Sequence, residues 1–299
     1  MNESSPLDLV LLQTFHEVAE RGSITEAAVH LGRSQPAVSH RLRALEEDLG
    51  VPLFEKVGRR LRLTEYGRRL QRHCLDVMAL SRGLRDRVCH EEGEVDGHVI
   101  IGTLPTLVSH LLVPVFHRLL AEHPKLQLSF VFEFLGSLRE ALRTGRADML
   151  VVVGDMDTSG FSRERLAETE LVAVMAPELA PRKRGFVRLA ELRERRYLAW
   201  DGPRDTTFDR AARFVEAKQL GGAYTPRIPH IESLREMAAA GAGYALLPRY
   251  TVDKDVARKR LVALRVSGLS STIDISLLLR DGQLLTPALR SVVDELRGL

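Results

Sequence analysis

Between Ser23 and Arg62, apolar and polar positions recur with helical spacing. Val38, Leu42, Leu45 and Leu49 fall at i, i+4, i+7 and i+11, which puts them on one stripe of a helix. Gln35, Ser39 and Arg43 lie four apart on another side, with Pro36 and His40 beside them. Ser34 suits the N-cap, and Pro36 falls in the first turn, where no N–H is needed. A shorter helix precedes this one. Ser23 and Glu26 have the spacing of a capping box, Ala27, Ala28 and Leu31 give an apolar side, and Gly32 supplies the stop. Leu11, Phe15 and Val18 predict a still earlier helix over residues 7–21, closed by Gly22. Three such helices can share one core, with Val51, Leu53 and Phe54 tucked beneath it. Residues 55–63, with Gly58 at the turn, read as a two-stranded wing.

Thr64 is placed to cap a long helix reaching about residue 92. Leu70, Cys74, Val77, Ser81, Leu84 and Val88 alternate spacings of four and three, the pattern of a heptad seam. Dimerisation through Leu70, Cys74, Val77, Leu84 and Val88 is expected; the alternative is an amphipathic helix packed on its own domain. Residues 91–97 (EEGEVDG) are acidic and glycine-bearing, as a hinge would be.

From Val99 onward the pattern changes to strands alternating with helices. Strands are predicted at 99–101, 126–132, 149–153, 171–175, 197–200, 244–247 and 273–279. Helices are predicted at 107–122, from Ser137 to Gly145, at 208–220 and 233–240, and from about Pro287. Residues 149–153 are a continuous apolar run, as in a strand covered on both faces. Such alternation implies parallel α/β sheets.

Composition narrows the options. The 299 residues exceed what one core usually holds, and 44% hydrophobic with 28% charged residues is ordinary globular usage. A net charge of +3 excludes a broadly basic nucleic-acid coat, so any DNA footprint is local: Arg41, Arg43, Lys56, Arg59, Arg60 and Arg62. Inside the same stretch Glu46, Glu47, Asp48 and Glu55 offset that charge. Cys74 and Cys89 are the 2 cysteines, without metal-ligand spacing. On a helix they stand roughly 22 Å apart, too far for a bond within one chain. The first residues lack a signal-peptide pattern and no apolar run is long enough to span a membrane, so the cytosol is the expected compartment. No cofactor or metal is expected.

The polar face of the Ser34 helix has the chemistry of groove contact. An amide suits adenine, an imidazole or guanidinium suits guanine, and a hydroxyl suits phosphate. Taken alone it reads first as a solvated polar face; the basic turn that follows favours contact with double-stranded DNA.

The pattern AA-x-x-L-x-x-SQPAVSH-x-x-x-x-LE-x-x-LG-x-PLFE, with LT-x-x-G after it, closely resembles the N-terminal domain of LysR-type transcriptional regulators. The resemblance continues through IGTLPT (101–106), His123-Pro124, LRTGRAD (142–148) and SLREMAAAGAGYALLP (233–248). It implies an α/β protein: an N-terminal winged helix-turn-helix (1–63), a linker and dimerisation helix with hinge (64–93), and an effector-binding domain (94–299). The last consists of two α/β subdomains resembling periplasmic binding proteins, one of 94–167 and 271–299, the other of 168–270. The chain would cross to the second and return for its last strand and helix.

The resemblance also assigns roles. Ser34, Gln35, Pro36, Ser39, His40 and Arg43 match the groove-reading helix, and Arg59 and Arg60 match the wing. The family commonly has arginine at position 40; His40 offers one bond where arginine offers a fork. A small-molecule effector is implied between the subdomains, near Thr106, the loop Leu135, Gly136 and Ser137, then Asp201, Thr206 and Thr207, and Ile231 and Ser233. Helix capping is the plain alternative for Thr106 and Ser137. Trp200 suits the core. Asp201, Asp205 and Asp209 suit a loop and an early helix turn better than a metal site. No catalytic arrangement stands out, so no enzyme is expected. A family branch senses peroxide through a cysteine pair in the second subdomain; with no cysteine beyond Cys89, this chain lacks that device. The expected function is a ligand-responsive DNA-binding regulator, a homodimer or homotetramer, with RNA polymerase a candidate partner. The competing reading is a small-molecule-binding or enzymatic α/β protein whose helical N-terminus only mediates assembly.

Overall fold

The computed structural model describes residues 7–58, 60–89, 95–181, 185–201, 207–220, 225–270 and 272–299; at 72, 79–80, 82–89 and 207–210 it describes backbone alone. Helices α1 (Leu9–Arg21), α2 (Ile24–His30) and α3 (Gln35–Leu49) lead into β1 (Phe54–Val57), β2 (Arg60–Leu63) and α4 (Glu65–Cys89). Local chemistry sets their ends. Asp8, Ser23 and Ser34 each accept a backbone N–H at an N-cap, and Gly22 and Gly50 close α1 and α3 with positive φ. Leu12, Phe15, Val18, Ala27, Val38, Leu42 and Leu45 then meet in one core, with Leu53 beneath them. The ring of Phe54 lies 5.4 Å from that of Phe15.

The wing is an antiparallel hairpin, Phe54 facing Leu63 and Val57 facing Arg60. Thr64 caps α4 by accepting from Gly67 N, and its own hydroxyl donates to Pro52 O at 2.7 Å. A Cβ on Gly67 would stand 2.2 Å from the Leu53 carbonyl oxygen. The glycine of LT-x-x-G is therefore required by close approach of α4 to the core.

The remainder is built on one large sheet. In order come β3 (Gly97–Thr103), α5 (Pro105–Leu107), a π turn (Val108–Leu112), α6 (Val113–Glu122), β4 (Leu126–Phe132), α7 (Leu135–Thr144), β5 (Met149–Val153) and β6 (Phe161–Met175). Then follow β7 (Phe186–Val187), α8 (Leu189–Arg193), β8 (Ala199–Trp200), α9 (Thr207–Ala217), β9 (Arg227–Ile228), α10 (Ile231–Ala239) and β10 (Ala245–Pro248). The chain ends with α11 (Asp253–Ala257), β11 (Val262–Val266), β12 (Thr272–Arg280) and α12 (Pro287–Leu296). The large sheet runs β4-β3-β5-β12-β6-β11-β7, with β10 also paired to β6.

The strand β6 joins two halves. Its first part, from Phe161 to Glu170, pairs with β12; its second, from Leu171 to Met175, pairs with β10 and β11. The register of β6 and β12 shifts at Ile275/Ser276, near the crossing. Residues of β5 alternate between two cores: Met149, Val151 and Val153 face α6 and α12, while Leu150 and Val152 face α7. The expectation of a doubly covered strand holds there. The expectation of parallel sheets holds only in part. Strand β3 is parallel to β4 and β5, but β12 is antiparallel to β5 and β6, and β10 and β11 are antiparallel to β6. Long returns reverse the chain direction, and no local spacing records them.

Candidate DNA-binding and effector sites

Because Val38, Leu42 and Leu45 are buried, the opposite side of α3 faces out. Gln35, Pro36, His40 and Arg43 are exposed there, and Ser39 is half-buried. Ser34 is also exposed, but its Oγ accepts from Ala37 N at 3.4 Å, so its first task is the cap. Gln35 is the first helical residue, where free N–H groups favour anionic phosphate. Arg60, Lys56 and Arg62 are exposed on the wing, while Arg59 lies outside the described residues. Sequence reasoning counted Glu46 as charge compensation. It is a clamp: one carboxylate oxygen of this α3 residue accepts from Leu53 N at 2.7 Å and Phe54 N at 3.2 Å. That fixes the root of the wing to the helix it accompanies. The signal was present in the LE-x-x-LG-x-PLFE spacing.

The seam on α4 needs a correction at Cys74. Its side chain is 1% exposed, sits in the core of the N-terminal helices and donates to Leu12 O at 3.3 Å. It therefore cannot meet a second copy. Burial pushes its thiol up to about 12. Leu70 packs partly against the same core, whereas Val77 is 40% exposed. The side chains of Leu84 and Val88 lie outside the described residues.

Thr106 is buried at the end of β3, in α5. Its hydroxyl shares a 3.1 Å hydrogen bond with the hydroxyl of Tyr250, which follows β10 in the other half of the sheet. It makes no cap, so the capping alternative fails for Thr106. One turn on, in the π turn, His110 Nε2 lies 2.8 Å from Glu232 Oε1 of α10. His110 is nearly enclosed, and its Nδ1 has no hydrogen-bond partner among the described residues. Two polar bridges thus join the halves. Burial raises the Tyr250 phenol far above its ordinary range, the bond from Thr106 lowering it and Glu232 raising it further.

Other expected effector residues are arranged differently from the loops the sequence suggested. Leu135, Gly136 and Ser137 are the first turn of α7: Leu135 is buried, Gly136 and Ser137 exposed. The N-cap is Phe134, so the predicted Ser137 cap is wrong. The buried Leu135 anchors the helix start, and the cap falls three residues earlier than expected. Ile231 and Ser233 are likewise in the first turn of α10, with Ile231 half-buried and Ser233 exposed. Asp201 is exposed and pairs with Arg227 at 3.2 Å. Thr206 and Asp205 lie outside the described residues, and Thr207 opens α9, its side chain undescribed. Trp200 is half-buried against the core of the second half. Tyr250, His110 and Glu232 were missed by sequence reasoning. His110 stands four positions after Thr106, and Glu232 lies between Ile231 and Ser233, so helical spacing carried a signal for both.

Among the described residues no group of three His, Cys, Asp or Glu side chains could hold a metal ion, and no helix is long and apolar enough to cross a membrane.

Residues 92–299 match the LysR substrate binding domain, and residues 9–68 match the bacterial regulatory helix-turn-helix protein of the lysR family. The chain belongs to the LysR family of transcriptional regulators. It is a ligand-responsive regulator with a DNA-binding helix-turn-helix and a substrate-binding domain. It is 30% identical over 278 residues to a probable hydrogen peroxide-inducible genes activator of Streptomyces viridosporus, covering 92% of this chain and 88% of that one. A full-length OxyR variant from Pseudomonas aeruginosa superposes with a TM-score of 0.69 at 21% identity, over 98% of this chain and 95% of that chain. Full-length CbnR complexed with its target DNA superposes with a TM-score of 0.56 at 22% identity, over 98% and 99%. At those identities the likeness concerns the fold.

Proposed function

We propose that this regulator reads duplex DNA with α3 in the major groove, through Gln35, Pro36, Ser39, His40 and Arg43, and that Arg59 and Arg60 of the wing touch the adjacent backbone or minor groove. Ser34 caps the reading helix and can still donate its hydroxyl proton to a phosphate. The observation that carries this reading is the outward row of exposed Gln35, half-buried Ser39 and exposed Arg43, on the side of the helix away from the buried stripe. A small-molecule effector binds between the sheet halves, beside Thr106, His110, Glu232 and Tyr250, with the first turns of α7 and α10 and the segment from Asp201 to Thr207 around it. Strand ends of open α/β sheets support this placement, and so does a π turn, a common feature of functional sites. The boundaries of this division are 1–63, 64–93 and 94–299, with subdomains of 94–167 and 271–299 and of 168–270. The protein works in the cytosol, as an oligomer paired through α4, without enzymatic activity.

The inducer named for the Streptomyces relative finds no matching cysteine pair in this chain. Both cysteines stand in α4, and the Cys74 thiol is buried. The effector is instead a small molecule with groups that take or give hydrogen bonds. The test screens metabolites for a thermal shift of the full chain, then measures affinity for its own upstream DNA with and without each hit. A hit that changes DNA affinity supports the reading. Hits that bind and leave DNA affinity unchanged refute effector control through this cleft.

A further inference from the structure

The two ends of α7 have different neighbours. Its first turn, Leu135 to Ser137, adjoins the proposed effector cleft, whereas its last residues press on the DNA-binding helices of the same chain. The helix has 10 residues and is about 15 Å long. Leu138, Ala141 and Leu142 are fully buried against the sheet, so α7 moves with the first half of the sheet as one body.

The contact at its far end is packed and hydrogen-bonded. Leu75 of α4 is 6% exposed and lies against Gly145, where a Cβ would come within 2.4 Å of Leu75 Cδ2. Gly145 also has a φ of +78°, so a side chain there would be strained as well as obstructed. Beside it, Arg143 Nη1 donates to Gln71 Oε1 at 3.3 Å, and Gln71 Nε2 donates to Glu20 Oε1 of α1 at 3.3 Å. The amide of Gln71 uses both ends, accepting from a guanidinium and donating to the Glu20 carboxyl. Thr144 is buried at the same end and donates its hydroxyl to Glu140 O within α7 at 2.8 Å. Arg280, at the end of β12, donates to the carbonyls of Leu142 and Ala147 and stands 3.9 Å from Asp76 of α4.

We propose that α7 is a rod that carries the state of the effector cleft to the DNA-binding helices of its own chain, gripping them at Leu75, Gln71 and Glu20. The near end of the rod rests on the effector reading above; the grip does not. A change in angle between the sheet halves is passed through α7 to α1 and α4, and from them to α3.

Hydrogen exchange on the full chain tests both parts. Leu75→Ala and Arg143→Ala, without DNA, are expected to speed exchange at residues 141–147 about tenfold or more, leaving 35–49 and 149–153 as they were. Arg143 is half-exposed, so that variant serves if Leu75→Ala does not fold. Unchanged exchange at 141–147 overturns the grip. A duplex from the chain's own upstream region, added to wild type, is expected to alter exchange at 135–138 as well as 141–147, because coupling between sites is reciprocal. In Arg143→Ala the effect at 135–138 should be lost. DNA that protects 35–49 and leaves both ends of α7 unchanged overturns the rod. A chain that binds no such duplex contradicts the DNA-binding reading instead, and exchange without DNA still judges the grip.

Discussion

Thr106 and Tyr250 are 144 positions apart and share a hydrogen bond of 3.1 Å between buried hydroxyls. The bond joins the two halves of the large sheet. Thr106→Val keeps the shape and leaves the Tyr250 hydroxyl without this partner, which should cost about 1–3 kcal/mol of stability. Tyr250→Phe should cost a similar amount, and the double variant less than the sum. Urea denaturation of the four proteins gives the cycle. Strict additivity would mean that the bond is not made in solution. Thr106→Val should also weaken effector binding, because a ligand entering the cleft must satisfy or replace these hydroxyls. Calorimetry with an effector found by screening reads that second effect.

Glu20 gives the contact between α7 and the DNA-binding helices a pH dependence. Burial raises its carboxyl from 4.5 to about 7, against the pull of Thr144, Arg143 and Arg146 and with a small push from Glu140. The folded protein then holds a proton that the unfolded chain releases above 4.5. Glu20 therefore opposes folding increasingly as pH rises from 4.5 to 7, and its penalty is constant above that. Thermal midpoints at pH 5.5 and 8 should differ less in Glu20→Gln than in wild type. An equal difference in the two proteins would mean that Glu20 is solvated.

Cys74 should be inert. With its thiol pushed up to about 12 and its side chain in a core, it presents almost no thiolate at pH 8. In a Cys89→Ser background, maleimide labelling should proceed only as fast as the chain opens, and peroxide should leave DNA affinity unchanged. Rapid labelling without denaturant would contradict the packing described.

Among the described members of the expected seam, Val77 is the exposed one. Val77→Asp places a charge on that face of α4, and burying an unpaired charge in a dimer interface would be strongly unfavourable. Sedimentation should show a shift toward monomer. An unchanged assembly state would move the dimer contact away from Val77.

The helical N-terminus was legible because its determinants are local. Ser23, Ser34, Gly22 and Gly50 mark helix ends, and the stripe Val38, Leu42 and Leu45 identifies the inner face. Glu46 was misjudged because an acid on a helix looks like surface charge until the Leu53 and Phe54 amides are brought to it. The first half of β6 was missed because FSRERLAETE is charged at half of its positions, as is an exposed strand or a loop. Residues 149–153 and 171–175 were found because both faces are covered. The bond from Thr106 to Tyr250 had no local trace, since it depends on how a long chain returns. Ser137 had the chemistry of a cap, but Leu135 needed burial, and that set the start of α7.

Reading of DNA by α3 is tested most directly by titrating the upstream duplex and a scrambled duplex at several salt concentrations, with wild type and Gln35→Ala. Wild type should prefer the upstream duplex, and both affinities should fall as salt rises. Gln35→Ala should lose about 1–3 kcal/mol on the upstream duplex and little on the scrambled one. Equal loss on both duplexes, or no loss on either, would contradict the assignment of Gln35 to the groove.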